Sequence, residues 1–579
     1  MIVLFLLYGG LLPAQSLGWQ WGVASNDYNT PGMQMVATTT DAAKNIFAGG
    51  YVLGGDSISF GGYTVYNTGG YQQAIVVKTD SSGNFIFANG TQKTDAWPIN
   101  IITDAAGNVY LLGLYDSSYC KIGAIILNNP AYYLMYFLVK MSPSGDILWA
   151  QNVAWQNAPG IYPESYTGGL GVDVSGNVYV AGAFNTDSIV IGGNMMYNVS
   201  SDSTYDVFIA GYDSLGNNIW ANTYGNDSSE FVNAMAVTGN GSFYVCGKFY
   251  DQAMIVGTDT LMDSLISADS AGKYIAKFDN GGNALWAKGL DVHVNINAAK
   301  ADDTGNLYVA GSISGDVVLG SVYLQDTNSH TTDAFVAKLD VTGNTTWARS
   351  AGGIRNDAAT GLSVDTAGNV WICGAMNIGV AYVVTSYDMF FNDVALAEPA
   401  LGVAPVFAAE YDREGNYVTS LALACGGGTA NTCDIAVNND GGFYLGGNYS
   451  RVQMVFGNDT LMHVSAASQG GFIAKYVYAY NLTDTSTQDS LLKTNILIAP
   501  AAVCIYPNPA NELFTISADF SFPPGSKAEM YNTEGVLMKV ISLQGSQVMV
   551  LTDGFMPGIY VCKVLIPGNN EVISKIFIN

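Results

Sequence analysis

Charge is scarce in this chain of 579 residues: Asp, Glu, Lys and Arg together make up 12%. Long surface helices need Glu and Lys, so a mostly helical fold is excluded. The charge present is one-sided, with 47 acidic against 21 basic residues and a net charge of −26. Nucleic acid is excluded as a partner, because phosphate binding needs clustered Lys and Arg. Anionic membranes are disfavoured for the same reason. An acidic surface instead suits a soluble extracellular protein.

Metal-binding and catalytic patterns are missing as well. The three histidines, His293, His330 and His463, have no second His or Cys at ligand spacing. The seven cysteines form no CxxC pair, which argues against zinc and iron–sulfur sites. Cys246 and Cys373 sit in FYVCG and VWICG, where neighbouring repeats use Ala, and read as core residues. Cys425 with Cys433, and Cys504 with Cys562, could pair in an oxidising compartment or stay free. Gly426–Gly428 lacks the Lys of a phosphate loop, and no nucleophile elbow occurs. No catalytic, cofactor-binding or metal-ligating residue is therefore expected, and no cofactor.

Apolar runs of membrane-spanning length are absent too. The opening MIVLFLLYGGLLPAQS has the length of a signal-peptide core, ends in small residues and lacks a basic start. Residues 1–16 are expected to be a signal peptide, cleaved after Ala14 or Ser16. No Cys follows at a lipidation position, so a lipid anchor is not expected.

What is abundant is glycine, 67 residues, and aromatics, 12%. Hydrophobic residues reach 49%, too many for disorder. This suits short strands and tight turns. A repeat organises them. Asp-x-x-Gly-Asn followed by an apolar strand ending in Gly occurs as DAAGNVYLLG, DVSGNVYVAG, DDTGNLYVAG and DTAGNVWICG. The turn residues are Asp104, Gly107 and Asn108; Asp173, Gly176 and Asn177; Asp302, Gly305 and Asn306; Asp365, Gly368 and Asn369. Weaker copies are DAAKNIFAGG, TGNGSFYVCG and NNDGGFYLGG, which makes seven. Their last glycines are spaced by 63, 69, 65, 64, 63 and 73 residues.

A second motif alternates with the first: an apolar strand, the same turn, and a strand carrying Trp-Ala, as in DVFIAGYDSLGNNIWA and DAFVAKLDVTGNTTWA. The copies number six; AIVVKTDSSGNFIFA, FLVKMSPSGDILWA and VFAAEYDREGNYV are looser, the first and last without the Trp. Asp caps each turn, and Gly supplies the positive φ of a short hairpin. Four strands per repeat, seven times over, describe a β-propeller with four-stranded blades; a β-solenoid is the alternative. The missing seventh Trp strand is expected from the N-terminal LGWQWGVAS, with Trp21 in the Trp position, closing the ring. Both turns should share one face, leaving the excursions at 114–132, 185–205, 248–272, 312–332, 375–404 and 448–470 to the other. IVIGGNMMY, MIVGTDTLM and MVFGNDTLM within them read as extra hairpins. Asp at single turn positions suits capping rather than calcium, which needs alternating carboxylates.

GNVYVAGAF with DVFIAGYDSLGNNIWA resembles the SBBP-type β-propeller repeat of bacterial surface and secreted proteins, over residues 17–480. That resemblance implies fold and export but no common chemistry. The tail resembles the C-terminal sorting domain of proteins exported by the type IX system of the Bacteroidetes, on IYPNPANELFTI, YNTEGVLMKV, MPGIYVCKV and SKIFIN. Tyr506, Pro507, Asn508, Pro509, Gly535, Gly558, Tyr560 and Lys575 fall on the family's pattern. Many members end in a basic residue, where this chain ends in Asn579. The resemblance implies an immunoglobulin-like sandwich over 504–579 and the type IX machinery as its partner, with a polar linker over 481–503. The implied location is the cell surface or beyond, reached through the periplasm. A binding protein for an unknown glycan or protein on the loop face is the leading expectation. A structural part of an extracellular matrix or gliding surface, and a quinone-dependent dehydrogenase-like enzyme, are the alternatives.

Overall fold

The computed structural model describes residues 18–24, 33–54, 57–66, 72–92, 94–130, 134–156, 168–200, 204–250, 253–262, 271–328, 331–353, 355–376, 389–391, 394–396, 406–423, 425–426, 429–438, 441–450, 453–456, 459–462, 470–477, 503–506, 513–532, 536–552, 555–556, 558–567 and 572–578. Every regular element among them is a β-strand. The chain divides into two compact units between Asp484 and Thr485.

In the first unit, seven sheets each contain an antiparallel run of four strands. In the first repeat these are Met33–Thr40, Ile46–Leu53, Gln72–Thr79 and Phe85–Gln92. Turn chemistry sets the hairpins. At Asp104 the carboxylate Oδ1 accepts the N–H of Ala106 and Asn108 at 3.0 and 2.9 Å, and Oδ2 accepts the Asn108 amide at 2.8 Å. The Gly107 N–H closes the turn onto the Asp104 carbonyl at 2.9 Å, with φ +78°. Asp173, Asp302 and Asp365 make the same set of bonds.

The first strands of the repeats pack side by side: Met33–Thr40, Ala96–Thr103, Gly169–Val172, Glu230–Val237, Val294–Ala301, Asp357–Val364 and Thr429–Val437, the last returning to the first. Six of them bulge by one residue: Val36, Ile99, Asn233, Asn297, Thr360 and Cys433. In these six repeats the glycine ending the motif lies opposite the bulge. A Cβ on Gly311 or Gly374 would run into the carbonyl oxygen of Asn295 or Ala358, so only glycine fits.

The last sheet takes its outermost strand from the N-terminus: Gly18–Ala24 pairs antiparallel with Gly470–Val477, Trp21 opposite Lys475. Both side chains then reach into the first repeat, donating to the Ser81 carbonyl at 3.2 and 3.1 Å. The same double latch joins other neighbours. Lys140 and Trp149 meet on the Ser214 carbonyl, and Lys277 and Trp286 on that of Val341. Trp220 and Trp347 reach Asn280 and Arg413 alone. Each latch lysine is buried over an aromatic ring, as Lys140 is over Tyr110 and Lys277 over Tyr244.

The excursions expected on one face fold as hairpins along the outermost strands. The first repeat adds a hairpin at 57–66, and five hairpins turn through Gly61, Gly123, Gly192, Gly257 and Gly320, at φ 57–64°. Each of these glycines lies over the first residue of its own repeat's outermost strand: Phe85, Ile147, Asn218, Ala284 and Thr345. Three hairpins also pair with the preceding repeat's outer strand.

The second unit has a three-stranded sheet, from Val503–Tyr506, Leu513–Phe522 and Gly545–Leu551, and a four-stranded sheet, from Leu537–Ser542, Lys527–Tyr531, Gly558–Leu565 and Val572–Ile578. Both bury side chains in one core containing Phe514, Ile516, Met530, Tyr560 and Cys562.

Candidate functional site

The side-by-side first strands enclose a cavity of about 250 Å³ lined from all seven repeats. The bulges aim its lining. Asn233 donates to the Ile296 carbonyl at 3.3 Å, Asn297 to Ala359 at 2.9 Å, and Thr360 to Thr432 at 2.9 Å. Each bond crosses to the next repeat's first strand, just before its bulge. On the other side of the ring the equivalent positions are Val36, Ile99 and Gly168. The wall thus changes from amide and hydroxyl to apolar around one circle. Its charged residues are Lys300 and Asp434. Burial pushes the Asp434 carboxyl up; Lys300 and the N–H groups of Thr38, at 3.1 Å, and Ile435, at 2.9 Å, oppose the shift. Among the described residues no cluster of three metal-ligating side chains forms. Such a wall can hold a neutral polar group by hydrogen bonds.

The repeat-turn residues named from the sequence lie away from this cavity and act within their own turns. Asp104, Asp173 and Asp302 also accept a phenol, from Tyr110, Tyr179 and Tyr308, at 3.1–3.2 Å. In the second turns, hydrogen bonds led by the Thr342 hydroxyl pull Asp340 down to about 2. Cys246 and Cys373 are buried in the core. Cys562 is a buried free thiol. His293 is half-exposed, its Nδ1 2.7 Å from Asp291. The bulge residues had no sequence motif of their own; the recurring terminal glycine was the signal, because it marks where the facing strand must bulge.

Of the tail pattern, Tyr560 is buried, and its hydroxyl donates to the Met556 carbonyl and accepts the Met556 N–H, at 2.9 and 3.0 Å. Tyr506, Gly558 and Lys575 lie in strands. Met538, Val540, Met549, Leu551 and Met556 stand exposed on this unit. Pro507, Asn508, Pro509, Gly535, residues 1–16, nearly all of 481–503, His330, His463 and the side chains of Cys425, Cys433 and Cys504 lie outside the described residues.

Residues 504–579 match the family described as secretion system C-terminal sorting domain. The chain is 21% identical over 486 residues to the WD repeat-containing protein L264 of Acanthamoeba polyphaga mimivirus, covering 70% of this chain and 34% of that one. It is 35% identical over 243 residues to regulatory protein FlaEY of Caulobacter vibrioides, covering 41% and 23%. The chain therefore spans about a third and a quarter of these relatives' lengths. Among solved structures, it is similar to PorZ, a surface component of the type IX secretion system of Porphyromonas gingivalis, at 10% identity and TM-score 0.19, covering 96% and 100%. It is also similar to YCF48 bound to D1 peptide, at 9% identity and TM-score 0.33, covering 81% and 100%. No described helix is long and apolar enough to cross a membrane.

Proposed function

We propose, taking residues 504–579 as the secretion sorting domain that they match, that this chain is a type IX-exported binding or scaffold protein at the cell surface. It is a seven-bladed β-propeller tethered to an immunoglobulin-like sandwich. The observation that carries this reading is ring closure: Trp21 and Lys475, from opposite ends of the repeat array, meet on one carbonyl of the first repeat. A rigid closed ring presents fixed side chains without further ordering cost, which suits recognition. The chain carries no chemistry of its own in this reading. The two charged groups of the cavity wall, Lys300 and Asp434, do not make a nucleophile–base pair. The ligand is a glycan or protein bearing neutral hydrogen-bonding groups, which Asn233, Asn297 and Thr360 suit.

The test is a glycan and surface-protein binding screen on the purified full chain. A partner whose affinity falls at least tenfold in Asn297→Leu and Thr360→Val, with both variants still folded at the assay temperature, is expected. A cofactor absorbance band with turnover would contradict the non-enzymatic reading.

A second reading, a structural component of a surface layer, draws on the outer hairpins, where Tyr66, Tyr197, Met262 and Tyr323 are each more than half exposed. Concentration-dependent self-association in sedimentation would favour it.

A further inference from the structure

Where the first two repeats meet, a cavity of about 370 Å³ opens between their sheets, under the hairpins 57–66 and 119–128. Its origin can be read from the repeat. In five junctions a Trp of the outermost strand donates to the next repeat's turn; the first repeat has Phe87 there and no such donor. Lys78, at the Pro143 carbonyl, 2.8 Å, and the Asn89 amide, at the Gly145 carbonyl, 2.7 Å, hold the turn instead. Four residues before its latch lysine, the second repeat has Tyr136, whose hydroxyl donates across the next junction to Ala183 at 3.1 Å. The first repeat has Ala74 at that place. Two large side chains are thus replaced by smaller ones on the same side of one sheet, and the junction is left underfilled.

The volume falls within the range of ligand pockets, roughly 300–1,000 Å³. It is well above the ~150 Å³ void that accepts benzene. Ala74, Val76, Leu111 and Val139 make the wall apolar, while Asn89 and Thr91 bring polar groups to one end. The single charged side chain in the lining is Asp146, on the turn of the second repeat. The geometry points to a binding site for an uncharged small molecule with a flat apolar body and one hydrogen-bonding end. The apolar body takes the Ala74 and Leu111 wall, and the polar end faces Asn89 and Thr91. An anion is excluded, because no cation lines the site and the whole chain carries a net charge of −26. This site does not depend on the ring recognising a surface partner.

The test titrates the full chain with N-phenyl-1-naphthylamine, an uncharged fluorophore of this shape. Saturable one-to-one binding is expected. Ala74→Tyr and Phe87→Trp restore the side chains of the next junction and should weaken binding at least tenfold, singly or together, with the melting temperature kept or raised. Should Ala74→Tyr fail to fold, Phe87→Trp decides alone, since Trp is accommodated at five other junctions. Tyr197→Ser and Met262→Ser, on distant outer hairpins, should leave affinity unchanged. Lack of saturable binding by the native chain would overturn the site. So would undiminished affinity in a folded Phe87→Trp variant, or loss of affinity in the hairpin variants.

Discussion

Lys44 stands where the other copies of the first turn have Gly, and it is the non-glycine residue with positive φ, +65°, among the described residues. A side chain there costs on the order of 1 kcal/mol. Lys44→Gly should therefore stabilise the ring by about 1 kcal/mol, less the entropy glycine adds to the unfolded chain; thermal melting checks this. Asp357 makes a second residue-scale case. It is buried at the start of the sixth repeat, with the Gly353 N–H donating to it at 3.1 Å. Burial, then the neighbouring Asp333 carboxylate, pushes it up to about 8. A folded pKa above the unfolded value of about 4 means the proton binds the folded state more tightly. The resulting cost is absent below about pH 4, grows as pH rises towards 8, and is constant above that. Asp357→Asn should raise stability at pH 8 by on the order of 2 kcal/mol and change it little at pH 4. Equal shifts at both pH values would contradict the origin in burial. The turn residues were legible in the sequence because Asp, Gly and Asn act within five residues. The latch lysines, such as Lys277, were not, since a lysine in a strand reads as solvated until its partner repeat is seen.

At the scale of elements, alternation and paired turns were enough to place the four strands of each repeat, and six copies of the second motif against seven of the first pointed to the N-terminal segment. The structure pairs Gly18–Ala24 with Gly470–Val477. Deleting residues 18–24 removes both a strand and the Trp21 latch, and exposes the edge of 470–477. Aggregation or a fall in melting temperature of several degrees is expected; an unchanged melting curve would contradict closure by this strand. The hairpins were legible where IVIGGNMMY and its relatives gave a Gly turn. Their position along the outermost strands was not, because it depends on contacts such as Gly192 over Asn218 that no local pattern encodes. The bulges at Asn233, Asn297 and Thr360 were hidden for the same reason.

At the scale of the molecule, the repeat phase breaks after Tyr480 and the chain divides into two compact units near Asp484. Export resides in the tail match at 504–579, and the binding proposed for the ring has a ligand that no motif names. The cavity at the first junction was likewise invisible as a motif; it arises where Phe87 takes the Trp position beside Ala74, the place that Tyr136 fills in the second repeat. The central claim is that a self-sufficient ring is carried outward by its C-terminal domain. The most direct measurement localises a chain lacking residues 504–579 by cell fractionation, in a host with type IX secretion, and tests its folding by protease resistance. The ring is expected to be folded, protease-resistant and retained in the periplasm, with the full chain reaching the surface. Surface delivery of the truncated chain at the normal level would contradict the account.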